Sequence, residues 1–195
     1  MANSRLDEWQ EKFARGAELH GNLPSPPLPD AVSNLAPGLA LDLASGAGRH
    51  AIFLAERGWR VHAIDGSSVG VQRMLDEAYR RGVSERIEGE VADLESPGFA
   101  VEREYDLVCD FYFLHRPLFD QIRQAVRAGG RLVAAIHVRT APDEPGRFLL
   151  EPGELRALVE GWGWTVEHYG EGAAGESGHR HGTAQLIARR PTLPG

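Results

Sequence analysis

Cysteine is almost absent from this chain. Cys109 is the single thiol in 195 residues, so an intramolecular disulfide, a CxxC redox pair and a cysteine-rich zinc site are all excluded. A reducing, cytoplasmic setting is the expectation. Long apolar runs are missing too. None approaches the roughly 18 residues of a membrane span, and Met1 to Trp9 hold no apolar core of signal-peptide length. Basic charge is in deficit, with 21 Lys and Arg against 28 Asp and Glu and a net charge of −7. Phosphate backbones want a basic face, so no nucleic-acid partner is expected. There is no internal repeat. With 42% hydrophobic and 25% charged residues, the composition is that of a folded protein. Its length suits a single domain over 1–195 with a proper core.

The stretch Leu39-Ala40-Leu41-Asp42-Leu43-Ala44-Ser45-Gly46-Ala47-Gly48-Arg49-His50-Ala51 organises the rest. It reads as a short apolar strand carrying one acid, a Gly-x-Gly turn and the start of a helix that stops at Gly58. Such a turn sets backbone N–H groups and bare main chain beside a ligand.

Residues 4–19 have the spacing of an amphipathic helix through Leu6, Trp9, Phe13 and Leu19. It either packs on the domain edge or forms a flap over a ligand. A Pro-rich connector follows, with a short helix over 30–35. Further strands are expected at 59–65, 86–93, 105–111, 131–138, 164–169 and 183–189. Helices are expected at 69–81, 117–127 and 152–161. Ser67 makes a good N-cap for the first of these. This alternation predicts an α/β fold: a doubly wound, mostly parallel seven-stranded sheet with helices on both faces. The Gly-rich segment before 183 carries no helix pattern, so the last strand should return antiparallel.

Four acids mark strand ends: Asp42, Asp65, Asp93 and Asp110. In an open α/β sheet the ligand sits beyond those ends. A dinucleotide wants one such acid. A phosphate-free ligand with a sulfonium and an ammonium wants more, and S-adenosylmethionine is that ligand. Asp65 can accept both hydroxyls of a ribose.

Asp42-x-x-x-Gly46-x-Gly48, Asp65, Ala92-Asp93-Leu94 and Gly129-Gly130 together resemble the successive motifs of class I S-adenosylmethionine-dependent methyltransferases. The resemblance spans a Rossmann-like core over 36–190, with residues 1–35 as a lid. Leu43 to Ala51 and Phe113-Leu114-His115-Arg116-Pro117-Leu118 resemble the small-molecule branch that includes tellurite-resistance and thiopurine-type enzymes. The resemblance implies that Asp42 holds the methionine ammonium. It implies that Ala44, Ser45, Gly46 and Gly48 line the methionine and ribose by backbone. Asp65 would bind the ribose diol, with Gly66 and Ser67 beside the adenine. Ala92, Asp93 and Leu94 would meet the adenine, Asp93 accepting from its amino group. Asp110 and Phe111 would close the floor near the sulfonium. S-adenosylhomocysteine would be the product. Two departures stand out. The family's first glycine is Ala44 here. The Asp/Asn-Pro-Pro-aromatic motif of amino-directed enzymes is replaced by Asp110-Phe111-Tyr112-Phe113, which disfavours methylation of nucleic-acid adenine.

Methyl transfer is an in-line displacement, so placement of the nucleophile carries much of the catalysis. A base helps only where the nucleophile carries a proton. His115 and Arg116, just before a Pro-started helix, are the catalytic candidates, as base and anion contact. Trp9, Phe13, Arg49, Tyr112, His137, Arg139 and His179 are the substrate-side candidates. No metal site is expected, and His179-Arg180-His181 reads first as a solvated loop and only second as a metal or substrate ligand. The function that follows is methyl transfer to a small-molecule nucleophile. The rivals are a nicotinamide oxidoreductase, for which Gly46-x-Gly48-x-x-Ala51 is a loose fingerprint, and a cofactor-binding scaffold without turnover.

Overall fold

The computed structural model describes residues 4–15, 23–141, 146, 148–173 and 181–192. Seven strands form one sheet in the order β3-β2-β1-β4-β5-β7-β6. By packing, the chain divides into two compact units. The first comprises Met1–Pro24 and Pro37–Ala100, the second Ser25–Ala36 and Val101–Gly195.

The first unit contains α1 (Ser4–Ala14), β1 (Leu39–Leu43), α3 (Arg49–Glu56), β2 (Arg60–Asp65), α4 (Ser68–Arg80) and β3 (Ile87–Val91). β1 pairs parallel with β2, and β2 with β3. Leu41, Leu43, Ala63, Leu54 and Met74 are fully or almost fully buried. Strands covered on both faces read as near-continuous apolar runs, and β1 and β2 do so except for Asp42, Arg60, His62 and Asp65. His62 meets Glu90 Oε2 through Nε2 at 2.7 Å. The expected helix over 4–19 is observed to Ala14; residues 16–19 lie outside the described set.

The second unit contains α2 (Leu28–Val32), β4 (Tyr105–Phe111), α5 (Leu118–Ala125), β5 (Val126–Val138), α6 (Glu154–Gly161), β6 (Thr165–Gly172) and β7 (Gly182–Arg189). β4 and β5 are parallel, while β7 runs antiparallel to both β5 and β6. The antiparallel last strand follows the sequence expectation. The start of β5 does not. Gly129-Gly130 lies inside the strand rather than before it. The register jumps from Tyr105↔Val126 to Leu107↔Arg131, so residues 127–130 bulge out, with Gly129 at φ 79. Cys109 is buried as a small apolar filler. Among the described residues no helix is long and apolar enough to cross a membrane.

Candidate functional site

The first unit builds a cradle at the end of β1. Ala44, Gly46 and Gly48 take φ of 52, 56 and 81, with Ser45 and Ala47 between them. This alternation turns the strand sharply into α3, whose N-cap is Gly48. Ser45 N–H donates to Ile64 C=O at 3.0 Å, and Gly48 N–H to Ser45 C=O at 2.9 Å. Glycine is required twice over at position 48. Its φ is left-handed, and an added β-carbon would lie 2.2 Å from Met74 Cγ.

Asp65, at the tip of β2, ties two loops together. Its Oδ2 accepts from Gly46 N–H at 2.8 Å and its Oδ1 from Ser67 N–H at 2.7 Å. Burial pushes its carboxyl up, and the Ser67 and Gly46 N–H groups oppose that. Ser67 is the N-cap of α4, accepting from Gly70 N–H at 3.1 Å. Ala92 N–H donates to Asp65 C=O at 3.1 Å, which brings the 92–94 turn to the same strand tip. There Asp93 Oδ1 accepts from Glu95 N–H at 3.0 Å, and Leu94 is buried.

Asp42 is different. It is 1% exposed, and neither carboxylate oxygen has a hydrogen-bond partner. Burial pushes its carboxyl up to about 7. The Ala51 N–H and the Arg49 charge pull it down, while the Asp65 charge pushes it further up. Ser45 Oγ beside it in sequence is also buried without a partner. Buried carboxylates are normally paired or hydrogen-bonded. The Arg49 charge acts on this one, but its two oxygens have no hydrogen-bond partner among the described residues.

In the second unit, Phe111 ends β4 and Tyr112 follows at φ 62, a conformation that L side chains rarely adopt. The Tyr112 ring stands 6.4 Å from Phe111 and 5.3 Å from His137, and its OH donates to Ser25 Oγ at 3.1 Å. His137 in turn lies 5.5 Å from the His181 ring, edge-on. The end of β5 is fixed by chain 149–150: Leu150 N–H donates to His137 C=O and Arg139 N–H to Leu150 C=O, both at 2.9 Å. Asp110 is buried.

A family model described as a methyltransferase domain matches residues 40–133. Residues 40–133 thus resemble a methyltransferase domain, and the fold is that of class I methyltransferases. The match begins in β1 and ends in β5, so it takes in both the cradle and the Asp110–Tyr112 turn. Hemagglutinin 1 of Eikenella corrodens is 30% identical over 143 residues, 68% of this chain and 46% of that protein. Ribosomal RNA small subunit methyltransferase C of Alcanivorax borkumensis is 31% identical over 134 residues, 69% of this chain and 35% of that protein. The chain therefore spans less than half the length of either curated relative. The crystal structure of TehB from Haemophilus influenzae superposes with a TM-score of 0.74 at 18% identity, covering 93% of this chain and 67% of that one.

Asp42, Ala44, Ser45, Gly46, Gly48, Arg49, Asp65, Gly66, Ser67, Ala92, Asp93 and Leu94 all belong to the first unit, as do Trp9 and Phe13 from α1. Asp110, Phe111, Tyr112, His115, Arg116, His137 and Arg139 belong to the second. His179 lies outside the described residues. Arg116 is not free to meet an anion as it stands. Its guanidinium forks onto Glu154, Nε to Oε1 at 2.6 Å and Nη2 to Oε2 at 2.8 Å, with a further bond to Leu149 C=O. It holds the start of α5 to the turn before α6. Arg139 pairs likewise with Glu151 at 3.0 Å.

Sequence reading missed Leu6, Gln10 and Gly70. Gln10 Oε1 accepts from Ser67 Oγ at 2.6 Å and from Val69 N–H at 3.1 Å, while its Nε2 donates to Ser68 Oγ at 3.1 Å. A polar residue on an amphipathic helix gives no such signal by itself.

Proposed function

We propose that the chain binds S-adenosylmethionine at the cradle of its first unit and transfers the methyl group to a small-molecule nucleophile. The observation that carries this reading is Asp42: a buried carboxylate with two partnerless oxygens, at the foot of a bare Gly-x-Gly turn. The methionine ammonium would give it both a charge and hydrogen-bond donors. Asp65 suits the ribose. Each of its oxygens accepts one backbone N–H and keeps a second lone pair for a hydroxyl. Asp93 and the Leu94 N–H would serve the adenine edge.

When bound, S-adenosylmethionine supplies an electrophilic methyl on a sulfonium. The chain then has to hold, orient and exclude water, and no acid is needed for the leaving thioether. Where the nucleophile carries a proton, His115 or His137 would take it. Arg116 can contact an anion only by leaving Glu154, so its first role is to hold α5. A small acceptor is favoured over nucleic acid by the net charge of −7 and by the missing prolines after Asp110. The name of the Alcanivorax relative makes RNA the control acceptor to include.

Calorimetry tests the cofactor half. S-adenosylhomocysteine should bind to the wild type, Asp42→Asn should bind it at least tenfold more weakly, and NAD should give no heat. Binding of NAD alone would overturn the reading. Transfer of a labelled methyl to thiols, amines, phenols and chalcogen oxyanions, with RNA alongside, tests the acceptor half. Label appearing only in RNA would overturn it.

A further inference from the structure

In this structure the bare faces of the cradle are covered by the chain itself. Phe13 is 7% exposed, with its ring between two glycines. A β-carbon added at Gly46 would lie 2.9 Å from Phe13 Cζ, and one at Gly70 would lie 3.2 Å from Phe13 Cδ2. Leu6 covers the third glycine: a β-carbon at Gly66 would lie 2.2 Å from Leu6 Cδ2. The helix is pinned at two points. Gln10 accepts from the first turn of α4, and Arg73 Nη1 donates to Phe13 C=O at 2.7 Å. Gln10 Oε1 thus takes up an N–H at the positive end of α4 that helix geometry leaves over.

The glycine faces at 46 and 66 are the surfaces on which the adenosyl ligand of the proposed function would lie. They cannot hold Phe13 and Leu6 and that ligand at once. We infer that α1 is a latched cover over the cofactor cradle, with Gln10 as the latch and Phe13 as the plug, and that it must leave for the ligand to enter. This inference rests on the reading of the cradle as an S-adenosylmethionine site. It makes the free protein a mixture in which only the open fraction binds, so apparent affinity is reduced by that fraction. Loosening the latch then speeds association and leaves dissociation unchanged.

The chain offers its own reporter. Lys12 is the only lysine in the sequence, it lies in α1, and the bond after it joins it to Phe13. A lysine-specific endoprotease therefore reads the opening of this helix alone. The experiment combines that digestion with stopped-flow binding of S-adenosylhomocysteine to the wild type and to Gln10→Leu, which keeps the side chain's bulk and removes its hydrogen bonds. The expected results are cleavage at Lys12 that is several-fold faster in Gln10→Leu, faster cleavage of the wild type when S-adenosylhomocysteine is saturating, and an association rate several-fold higher in the variant with the same dissociation rate. Protection of Lys12 by the ligand, or faster dissociation from the variant, would overturn the inference, because α1 would then be a wall of the bound state. Equal association rates would overturn it as well. Failure of both proteins to bind S-adenosylhomocysteine would instead remove the cofactor reading, and Lys12 cleavage in Gln10→Leu still reports whether the latch holds. Phe13→Ala serves as the second variant, judged by the same two rates.

Discussion

Gly46 donates its backbone N–H to Asp65 Oδ2 at 2.8 Å, so the turn after β1 is held in place by the acid that ends β2. The same carboxylate accepts Ser67 N–H at 2.7 Å. Asp65→Ala should therefore lose structure and ligand together. Each N–H left without its acceptor costs about 1–3 kcal/mol of stability, and the lost charge-assisted bonds to a ribose about 1.5–3 kcal/mol of binding. Urea unfolding and calorimetry with S-adenosylhomocysteine check the two parts. A variant that is as stable as the wild type and binds normally would place the ligand elsewhere.

Asp42 makes the empty protein pH-sensitive. Its carboxyl holds a proton up to about 7 in the folded chain, against an ordinary value of 3.8. The folded state therefore binds more protons than the unfolded state between those values, and this group's contribution falls as pH rises from about 4 to 7. The separation corresponds to roughly 4 kcal/mol. Asp65, also raised, acts in the same direction. Melting temperatures across this range should decline more steeply for the wild type than for Asp42→Asn. S-adenosylhomocysteine should bind more tightly as pH passes 7, since its ammonium needs the ionised form, and Asp42→Asn should lose that dependence.

Gly48→Ala meets two separate obstacles. A φ of 81 costs a residue with a β-carbon about 1–2 kcal/mol. The clash with Met74 adds about 1–3 kcal/mol. Pairing it with Met74→Ala relieves the second in part, removing the Cγ and sulfur contacts and leaving the two β-carbons 2.8 Å apart. The double variant should unfold at a higher urea concentration than the sum of the two single losses allows. Strict additivity would mean the two side chains do not meet.

Ala44 stands in the same turn at φ 52, where the related motif has glycine. Ala44→Gly relieves about 1–2 kcal/mol of backbone strain and loses about 0.4–1 kcal/mol by loosening the unfolded chain. The net should be a small gain in stability, seen as a melting temperature equal to or slightly above the wild type. A clear drop would mean that the methyl group is packed against something it needs.

The parts of the site that were legible in the sequence are those where a residue breaks its local pattern. Asp42 is an acid inside an apolar run, Asp65 closes another, and Gly48 stands at a helix N-cap where Ser, Asp or Asn is the commoner choice. Such exceptions need a cause, and the cradle supplies it. The inner strands β1, β4 and the second half of β5 were legible because they are buried and carry mostly apolar residues. What stayed hidden depends on partners distant in the chain. Arg116 looked available for an anion because nothing local marks Glu154, 38 residues on, as its partner. Gln10 reads as a solvated position until α4 is set beside it. Gly46 and Gly66 read as ligand surfaces, and only packing reveals that Phe13 and Leu6 cover them. The start of β5 was misjudged because a Gly-Gly pair marks a turn and a bulge equally well.

The placement of β7 between β5 and β6 has a consequence for how this chain is made. β6 leaves the ribosome before β7, yet its one partner in the sheet is β7. Residues 165–172 must wait as an unpaired edge until Gly182–Arg189 arrive, because β7 is the strand that joins them to β5. The sheet of the second unit is thus joined from the inside by β7, which is made after both of its neighbours. A nascent chain stalled before residue 182 would leave the edges of β5 and β6 without β7, and chain termination there would leave a species prone to sheet-to-sheet association.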